Sequence, residues 1–80
     1  MTRVILYGKP GCSLCTRARE ILKRLSSESR FQLEESDITT DPALYELYKD
    51  WIPVVVVDGI EAMRGIPNEL ALRRALSLGV

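Results

Sequence analysis

Several residue types are scarce in this chain of 80 residues, and each scarcity argues against a class of function. Histidine is absent and cysteine occurs only twice, so one chain cannot supply the four Cys or His ligands of a closed zinc site. The 11 lysines and arginines balance the 11 aspartates and glutamates, for a net charge of zero, and no basic block stands out. This balance argues against a surface that attracts nucleic acid or an anionic membrane.

Long apolar runs are also missing. The apolar run near the N-terminus covers only residues 4–7, far short of a signal peptide or a membrane span. We therefore expect a cytoplasmic protein, in which a structural disulfide would be unusual. A length of 80 residues suits one small core, so we predict a single domain over residues 1–80 and a monomer.

Apolar patterns predict an alternation of strands and helices in the first half of the chain. Residues 4–7 are continuously apolar, as in a central strand that is covered on both faces. From Cys12 the apolar positions follow a helical period, and they are Leu14, Cys15, Ala18, Ile21, Leu22 and Leu25. Residues 31–34 then alternate as a half-exposed edge strand does.

The second half contains two more helices around a hairpin. Asp41 and Pro42 predict the start of a helix that should end near Trp51, and its expected inward face is Leu44, Leu47, Tyr48 and Trp51. The valine run of residues 54–57 predicts a buried strand, and Asp58-Gly59 a two-residue turn into an antiparallel strand over residues 60–64. Asn68 predicts the cap of a last helix, which extends to about Leu78, with Gly79 as its stop. The expected inward residues of that helix are Leu72, Ala75 and Leu76.

The predicted order is βαβαββα, which indicates an α/β fold. A right-handed helical crossover should make the first two strands parallel, and the hairpin completes a four-stranded mixed sheet with helices on both faces. Ligands bind such sheets beyond the carboxyl ends of the parallel strands. The turn that carries Cys12 lies at this edge.

Cys12 and Cys15 are the strongest chemical signal in the chain. Residues three apart in a helix lie on one face, with β carbons about 5 to 6 Å apart, so a disulfide between them needs little movement. Cys12 lies at the predicted helix start, where free N–H groups and the helix dipole stabilise a thiolate. Cys15 lies on the core-facing stripe, so Cys12 is expected to react first.

Three other interpretations of the cysteines stay open at this point. They are two small buried apolar residues, ligands of an iron–sulfur or metal site shared between chains, or remnants in a catalytically inactive binding module. A Cys-x-x-Cys next to a βαβ pattern favours redox chemistry.

The segment of residues 7–15 resembles the active-site segment of glutaredoxins, a branch of the thioredoxin-like superfamily, in which Tyr and Lys precede a Cys-x-x-Cys. Ile52-Pro53, followed by valines and Asp58-Gly59, is similar to that family's proline, usually cis, and the hairpin after it. The likeness extends over almost the whole chain and includes short bacterial glutaredoxin-like proteins.

The resemblance implies a thioredoxin-like (glutaredoxin-type) fold and a thiol–disulfide oxidoreductase of cell redox homeostasis, with a redox-active disulfide between Cys12 and Cys15. It implies substrate contacts from Lys9, Ile52, Pro53 and Gly65, although a solvated lysine and a core isoleucine are equally ordinary interpretations of the first two. The exchange requires no metal and no cofactor. The expected partner is a protein or small molecule with a disulfide, and the upstream reductant is glutathione or thioredoxin with its reductase.

Two departures from the family argue against glutathione as the co-substrate. Ser13-Leu14 stands where glutathione-dependent glutaredoxins have Pro-Tyr. Gly65 stands alone where that family has two glycines followed by acidic residues. We therefore expect glutathione to reduce this protein poorly.

Overall fold

The computed structural model describes residues 1–79, so residue 80 of the predicted domain lies outside the described part. Its elements follow the predicted order. They are β1 (Thr2–Gly8), α1 (Ser13–Leu25), β2 (Phe31–Asp37), α2 (Pro42–Tyr48), β3 (Val54–Val57), β4 (Ile60–Arg64) and α3 (Glu69–Ala75). A 3-10 turn at Ile38–Thr40 links β2 to α2.

The four strands form one mixed sheet in the order β2-β1-β3-β4. The central β1 pairs in parallel with β2 and antiparallel with β3, and β3 pairs antiparallel with β4. Asp58 and Gly59, both with positive φ, form the hairpin turn, since that geometry matches the twist of the flanking strands. The mixed α/β sheet predicted from the sequence is confirmed.

Helices α1 and α3 cover one face of the sheet and form the main core. The stripe predicted for α1 is buried at Cys15, Ala18, Leu22 and Leu25, because the 3.6-residue period brings these positions to one side. Leu72 of α3 is fully buried against the same cluster. The sheet contributes Val4, Leu6, Val55, Val57 and Met63 to the cluster, and Leu76 follows from the end of α3.

Helix α2 covers the opposite face only lightly. Tyr7 points away from the side on which its neighbours Leu6 and Gly8 are buried, because side chains alternate along a strand. The ring of Tyr48 lies 4.8 Å from that of Tyr7, centroid to centroid, which places α2 over this face. None of the residues of α2 is buried.

Both later helices end sooner than the sequence predicted. Helix α2 ends at Tyr48, because the N–H of Trp51 bonds to the carbonyl of Tyr48 and tightens the last turn. The predicted burial of Leu47 and Trp51 is therefore wrong, since they are 61% and 51% exposed.

Helix α3 ends at Ala75, and the predicted inward position of that residue is also wrong, because it is exposed. The end comes from Ser77, which has a φ of 59°, while the N–H of Leu78 bonds to the carbonyl of Arg73 at 2.7 Å. This is a Schellman ending, and it falls two residues before the predicted stop at Gly79.

Within residues 1–79, no helix has both the length and the apolar character that crossing a membrane requires.

Candidate active site

Cys12 lies where the chain turns from β1 into α1. The turn passes through Pro10 and Gly11, and Gly11 has a φ of +77°, a conformation that suits glycine. Cys12 is then the N-cap of α1, in an extended conformation with φ −92° and ψ 110°. It therefore stands at the carboxyl end of the parallel strand β1, as predicted.

The sulfur of Cys12 takes the place of the usual capping oxygen. The main-chain N–H of Cys15 donates a hydrogen bond to Cys12 Sγ at 3.2 Å, and so satisfies one of the free N–H groups of the helix start. Cys12 is partly exposed and both cysteines are free thiols. The capping bond therefore ties the Cys12 sulfur to the main chain of the second cysteine.

Cys15 has a different environment. It is only 3% exposed, and this burial raises the pKa of its thiol to about 11, with the hydrogen bond to Cys12 acting in the same direction. A hydrogen bond from the main chain of Lys9 and the positive charge of Arg19 act in the opposite direction and favour the thiolate. The thiol of Cys15 is consequently held in its protonated form.

Gly8 packs directly against the buried thiol. A β carbon on Gly8 would lie 2.9 Å from Cys15 Sγ and 3.2 Å from Cys15 Cβ, distances that leave no room for a side chain. In the sequence this glycine is only a strand-ending residue before the turn. Its contact with Cys15 was missed because it depends on the tertiary packing of α1 on β1.

The strand register brings a second loop to the same edge of the sheet. Tyr7 of β1 pairs with Val54 of β3, so Pro53 lies level with Gly8 and close to the start of the turn that carries Cys12. The Ile52–Pro53 peptide bond is cis. Pro53 is buried and Ile52 is half-buried. Within residues 1–79, the main-chain N–H and carbonyl of Ile52 form no hydrogen bond with another main-chain group.

Gly65 fastens this loop from the other side. Its N–H donates to the carbonyls of both Trp51 and Pro53, each at 2.9 Å, and its φ of +77° is one that glycine adopts without strain. Because these bonds engage its N–H, Gly65 shapes the loop around Ile52. Trp51, which the sequence prediction placed in the core, is instead half exposed next to this loop.

Lys9 is exposed and, together with Cys15, lines a cleft of about 350 Å³. The cleft opens between the turn after β1 and the carboxyl end of β2. Its lining consists of Leu6, Gly8, Lys9, Pro10, Cys15, Arg19, Glu35, Ser36 and Asp37. Ile52, Pro53 and Gly65 are not part of it, so the predicted substrate contacts fall into two groups.

Residues 1–79 contain no cluster of three or more His, Cys, Asp or Glu side chains arranged to hold a metal ion.

The model of the Glutaredoxin-like domain (DUF836) matches residues 3–77. The chain belongs to this family. With this fold and two neighbouring cysteines at a helix start, the family membership suggests a redox-type function.

Curated relatives include uncharacterized proteins of Mycobacterium bovis and Mycobacterium tuberculosis. Each is 38% identical over 64 residues, which is 74% of this chain and 66% of the relative. The match thus spans slightly less than two thirds of the relatives' length.

Among solved structures, a protein of Nitrosomonas europaea studied by solution NMR is similar, with a TM-score of 0.83 and 27% identity over 94% of this chain and 91% of that one. Mitochondrial thioredoxin 3 of Saccharomyces cerevisiae, in its oxidized form, has a TM-score of 0.71 and 20% identity, over 95% and 76% of the two chains. A thioredoxin of Halobacterium salinarum has a TM-score of 0.71 and 18% identity, over 95% and 72%. The two thioredoxins establish the thioredoxin-like fold alone.

Proposed function

We propose that this protein is a thiol–disulfide oxidoreductase that reduces disulfides through a mixed disulfide, with Cys12 as the nucleophile and Cys15 as the resolving thiol. The observation that carries the proposal is the unequal pair of sulfurs at the start of α1. Cys12 Sγ is partly exposed and accepts the N–H of Cys15 at 3.2 Å, while the thiol of Cys15 is buried. A donor aimed at the exposed sulfur favours attack from that sulfur.

The reaction has two exchange steps. In the first, the thiolate of Cys12 attacks a substrate disulfide, a bond forms between Cys12 and one substrate sulfur, and the other substrate sulfur leaves as a thiolate. In the second, the thiolate of Cys15 attacks Cys12 Sγ, which breaks the mixed disulfide and releases the second substrate thiolate. The two electrons that reduce the substrate come from the dithiol, which becomes the Cys12–Cys15 disulfide.

The loop at Ile52 and Pro53 supports a disulfide in an extended protein segment as the substrate. The unpaired N–H and carbonyl of Ile52 offer an incoming strand two main-chain hydrogen bonds, as in β-strand addition. Trp51 precedes Ile52 in this loop, and Ile66 follows Gly65. These two side chains are 51% and 74% exposed, and they present apolar surface beside the loop. Lys9 would meet a substrate that extends toward the cleft.

Reductant dependence is the experiment that tests this function. The purified protein is assayed for reduction of a protein disulfide such as insulin, once with glutathione and glutathione reductase and once with thioredoxin and thioredoxin reductase. We expect turnover that Cys12→Ser abolishes, and slower turnover with glutathione, because the second glycine and the acidic residues of glutathione-dependent relatives are missing after Gly65.

Efficient turnover at millimolar glutathione would overturn the reductant preference while leaving the exchange chemistry in place. Turnover that survives Cys12→Ser would overturn the function itself. The same preparation separates the other interpretations of the cysteines. A coloured protein would indicate a cluster, whereas a loss of two protons in air, reversed by reductant, supports the dithiol. Cytoplasmic location and the monomeric state stay predictions.

A further inference from the structure

A charged cleft reaches the buried Cys15 thiol from the side opposite the Ile52 loop. Its floor is apolar and closely packed, formed by Leu6, Gly8 and the cysteine. Its rim is formed by ionisable side chains from three elements, namely Lys9 on the turn after β1, Arg19 on α1, and Glu35 and Asp37 on β2. The volume of about 350 Å³ is ample for several water molecules.

Arg19 is held over this cleft. It follows Cys15 by four residues on α1, so the two side chains share one face of the helix. Arg19 Nε donates a hydrogen bond to Glu35 Oε1, and the side chain of Arg19 is 38% exposed. The main chain of Glu35 pairs with that of Leu6 of β1 in the parallel register, which brings its carboxylate within reach of Arg19. The ion pair places the guanidinium at the mouth of the cleft.

The carboxylates on the rim are already engaged. Asp37 accepts hydrogen bonds from the N–H and the hydroxyl of Thr39, at 2.9 and 2.6 Å, and these bonds lower the pKa of its carboxyl. Glu35 accepts from Arg19. Both carboxylates already accept hydrogen bonds, and the open cleft between them gives a proton that leaves Cys15 on this side a direct path to solvent.

The resolving step makes such a path necessary. Cys15 must lose its proton before it can attack Cys12 Sγ, yet its burial opposes the charged form. Besides Cys12, the ionisable residues that line the cleft together with Cys15 are Lys9, Arg19, Glu35 and Asp37. Lys9 assists through its main-chain N–H, and Arg19 contributes a positive charge that favours the thiolate.

We propose that this cleft is the route by which the Cys15 proton leaves during resolution, and that Arg19, held in place by Glu35, is a positioning residue that stabilises the Cys15 thiolate. The inference rests on the proposed function. The thiol proton passes to water in the cleft, the S–S bond between Cys15 and Cys12 forms, and the bond between Cys12 and the substrate sulfur breaks. The substrate leaves as a thiolate, which takes up a proton from solvent.

The test follows the two steps separately with one equivalent of Ellman's reagent. Attack by Cys12 releases one coloured thiolate in a bimolecular phase, and resolution by Cys15 releases a second in a unimolecular phase. Removing one partly exposed charge should raise the apparent pKa of the second phase by about 0.3 to 1 unit. Arg19→Gln should therefore slow the second phase about two- to tenfold at pH 7 and move its pH profile upward by that amount.

Two matched variants separate charge from structure. Arg19→Lys keeps the positive charge, so its second phase should stay within about twofold of the wild type. Arg17 is an exposed arginine two residues earlier on α1, and it forms no ion pair within residues 1–79. Arg17→Gln should leave both phases unchanged. An unshifted pH profile in Arg19→Gln, or an equal loss in Arg19→Lys, would overturn the proposal.

A second readout does not need exchange activity. In a Cys12→Ser background, the pH dependence of Cys15 alkylation reports its thiol directly, and Arg19→Gln should move that dependence to higher pH. If the wild type shows no second phase, the proposed function fails, and the alkylation profile still decides the role of Arg19. An alkylation profile that Arg19→Gln leaves in place contradicts that role.

Discussion

At the scale of single residues, the close approach of Gly8 to Cys15 constrains the position of the buried thiol. Gly8 is buried at the end of β1, and Cys15 is the first buried residue of α1. The absence of a side chain on Gly8 lets the helix approach the strand closely enough to cover the thiol. The position of the Cys15 sulfur thus depends on Gly8 having a hydrogen atom where alanine has a methyl group.

Gly8→Ala should displace the Cys15 side chain. The added β carbon would lie 2.9 Å from Cys15 Sγ, and crowding of this kind in a packed core costs about 1 to 3 kcal/mol of unfolding free energy. We expect that loss in chemical denaturation, together with a slower resolving phase with Ellman's reagent.

Gly79→Ala is the matched control, because a β carbon at that position meets no atom within 4 Å. Its stability and kinetics should equal those of the wild type. A Gly8→Ala variant with unchanged stability and an unchanged resolving phase would show that the close approach does not position the thiol.

The three helices differ in how firmly packing holds them. Helix α1 buries four residues in the core, whereas α2 buries none. Helix α3 is as short as α2 but buries Leu72 in the core cluster that α1 and the sheet also form. Stability should therefore be distributed unevenly, with α2 open most often.

N-cap substitutions in α2 and α3 test this difference. Asp41 Oδ1 accepts from the N–H groups of Ala43 and Leu44, and Asn68 Oδ1 accepts from the N–H of Ala71 at 3.1 Å. Asn68→Ala should lower the unfolding free energy by about 1 kcal/mol, a usual value for a lost cap. Asp41→Ala should speed amide hydrogen exchange within α2 but cost much less global stability.

Denaturant midpoints and hydrogen exchange by mass spectrometry measure both effects. Equal losses of global stability in the two variants would contradict the uneven distribution.

The same difference explains which elements the sequence predicted well. The stripe of α1 was largely predictable because its period matches the buried residues Cys15, Ala18, Leu22 and Leu25. Leu14 and Ile21, predicted on the same stripe, are only half-buried. The apolar residues of α2 have the same period but face too little sheet to be buried. The end of α3 depends on Ser77 adopting a positive φ. Glycine often adopts that conformation at the end of a helix and serine seldom does, so the residue type gave no clear signal.

At the scale of the whole molecule, the sheet order determines which residues of the site could be predicted from the sequence. The βαβ pattern placed Cys12 at the carboxyl edge of β1, and the pairing of β1 with β3 brings Pro53 to the same edge. The ion pair of Arg19 with Glu35 joins two residues 16 positions apart. Their meeting depends on the register of β2 against β1, which no local pattern encodes.

Global stability should depend on pH through Cys15. The pKa of its thiol is about 11 in the folded chain against an ordinary value of 9.0, so between these values the folded state binds more protons than the unfolded state. Stability therefore falls as the pH rises from 9 toward 11 and is retained below 9. Denaturation of the fully reduced protein at pH 8 and pH 10.5 measures the loss.

Cys15→Ala provides the control, because lysine and tyrosine residues also titrate in this range. The variant should lose less stability than the wild type between the two pH values. An equal loss in both proteins would contradict a raised pKa for the Cys15 thiol.

Trapping the mixed disulfide is the most direct test of unequal roles for the two sulfurs. Reduced Cys15→Ser and Cys12→Ser are each incubated with a peptide that carries a disulfide, quenched with acid and weighed intact by mass spectrometry. The account predicts that Cys15→Ser accumulates a covalent adduct at Cys12 that nothing within the chain resolves, while Cys12→Ser forms little adduct because its remaining thiol is buried and protonated. An adduct that forms mainly on Cys12→Ser, or equally on both variants, would contradict it.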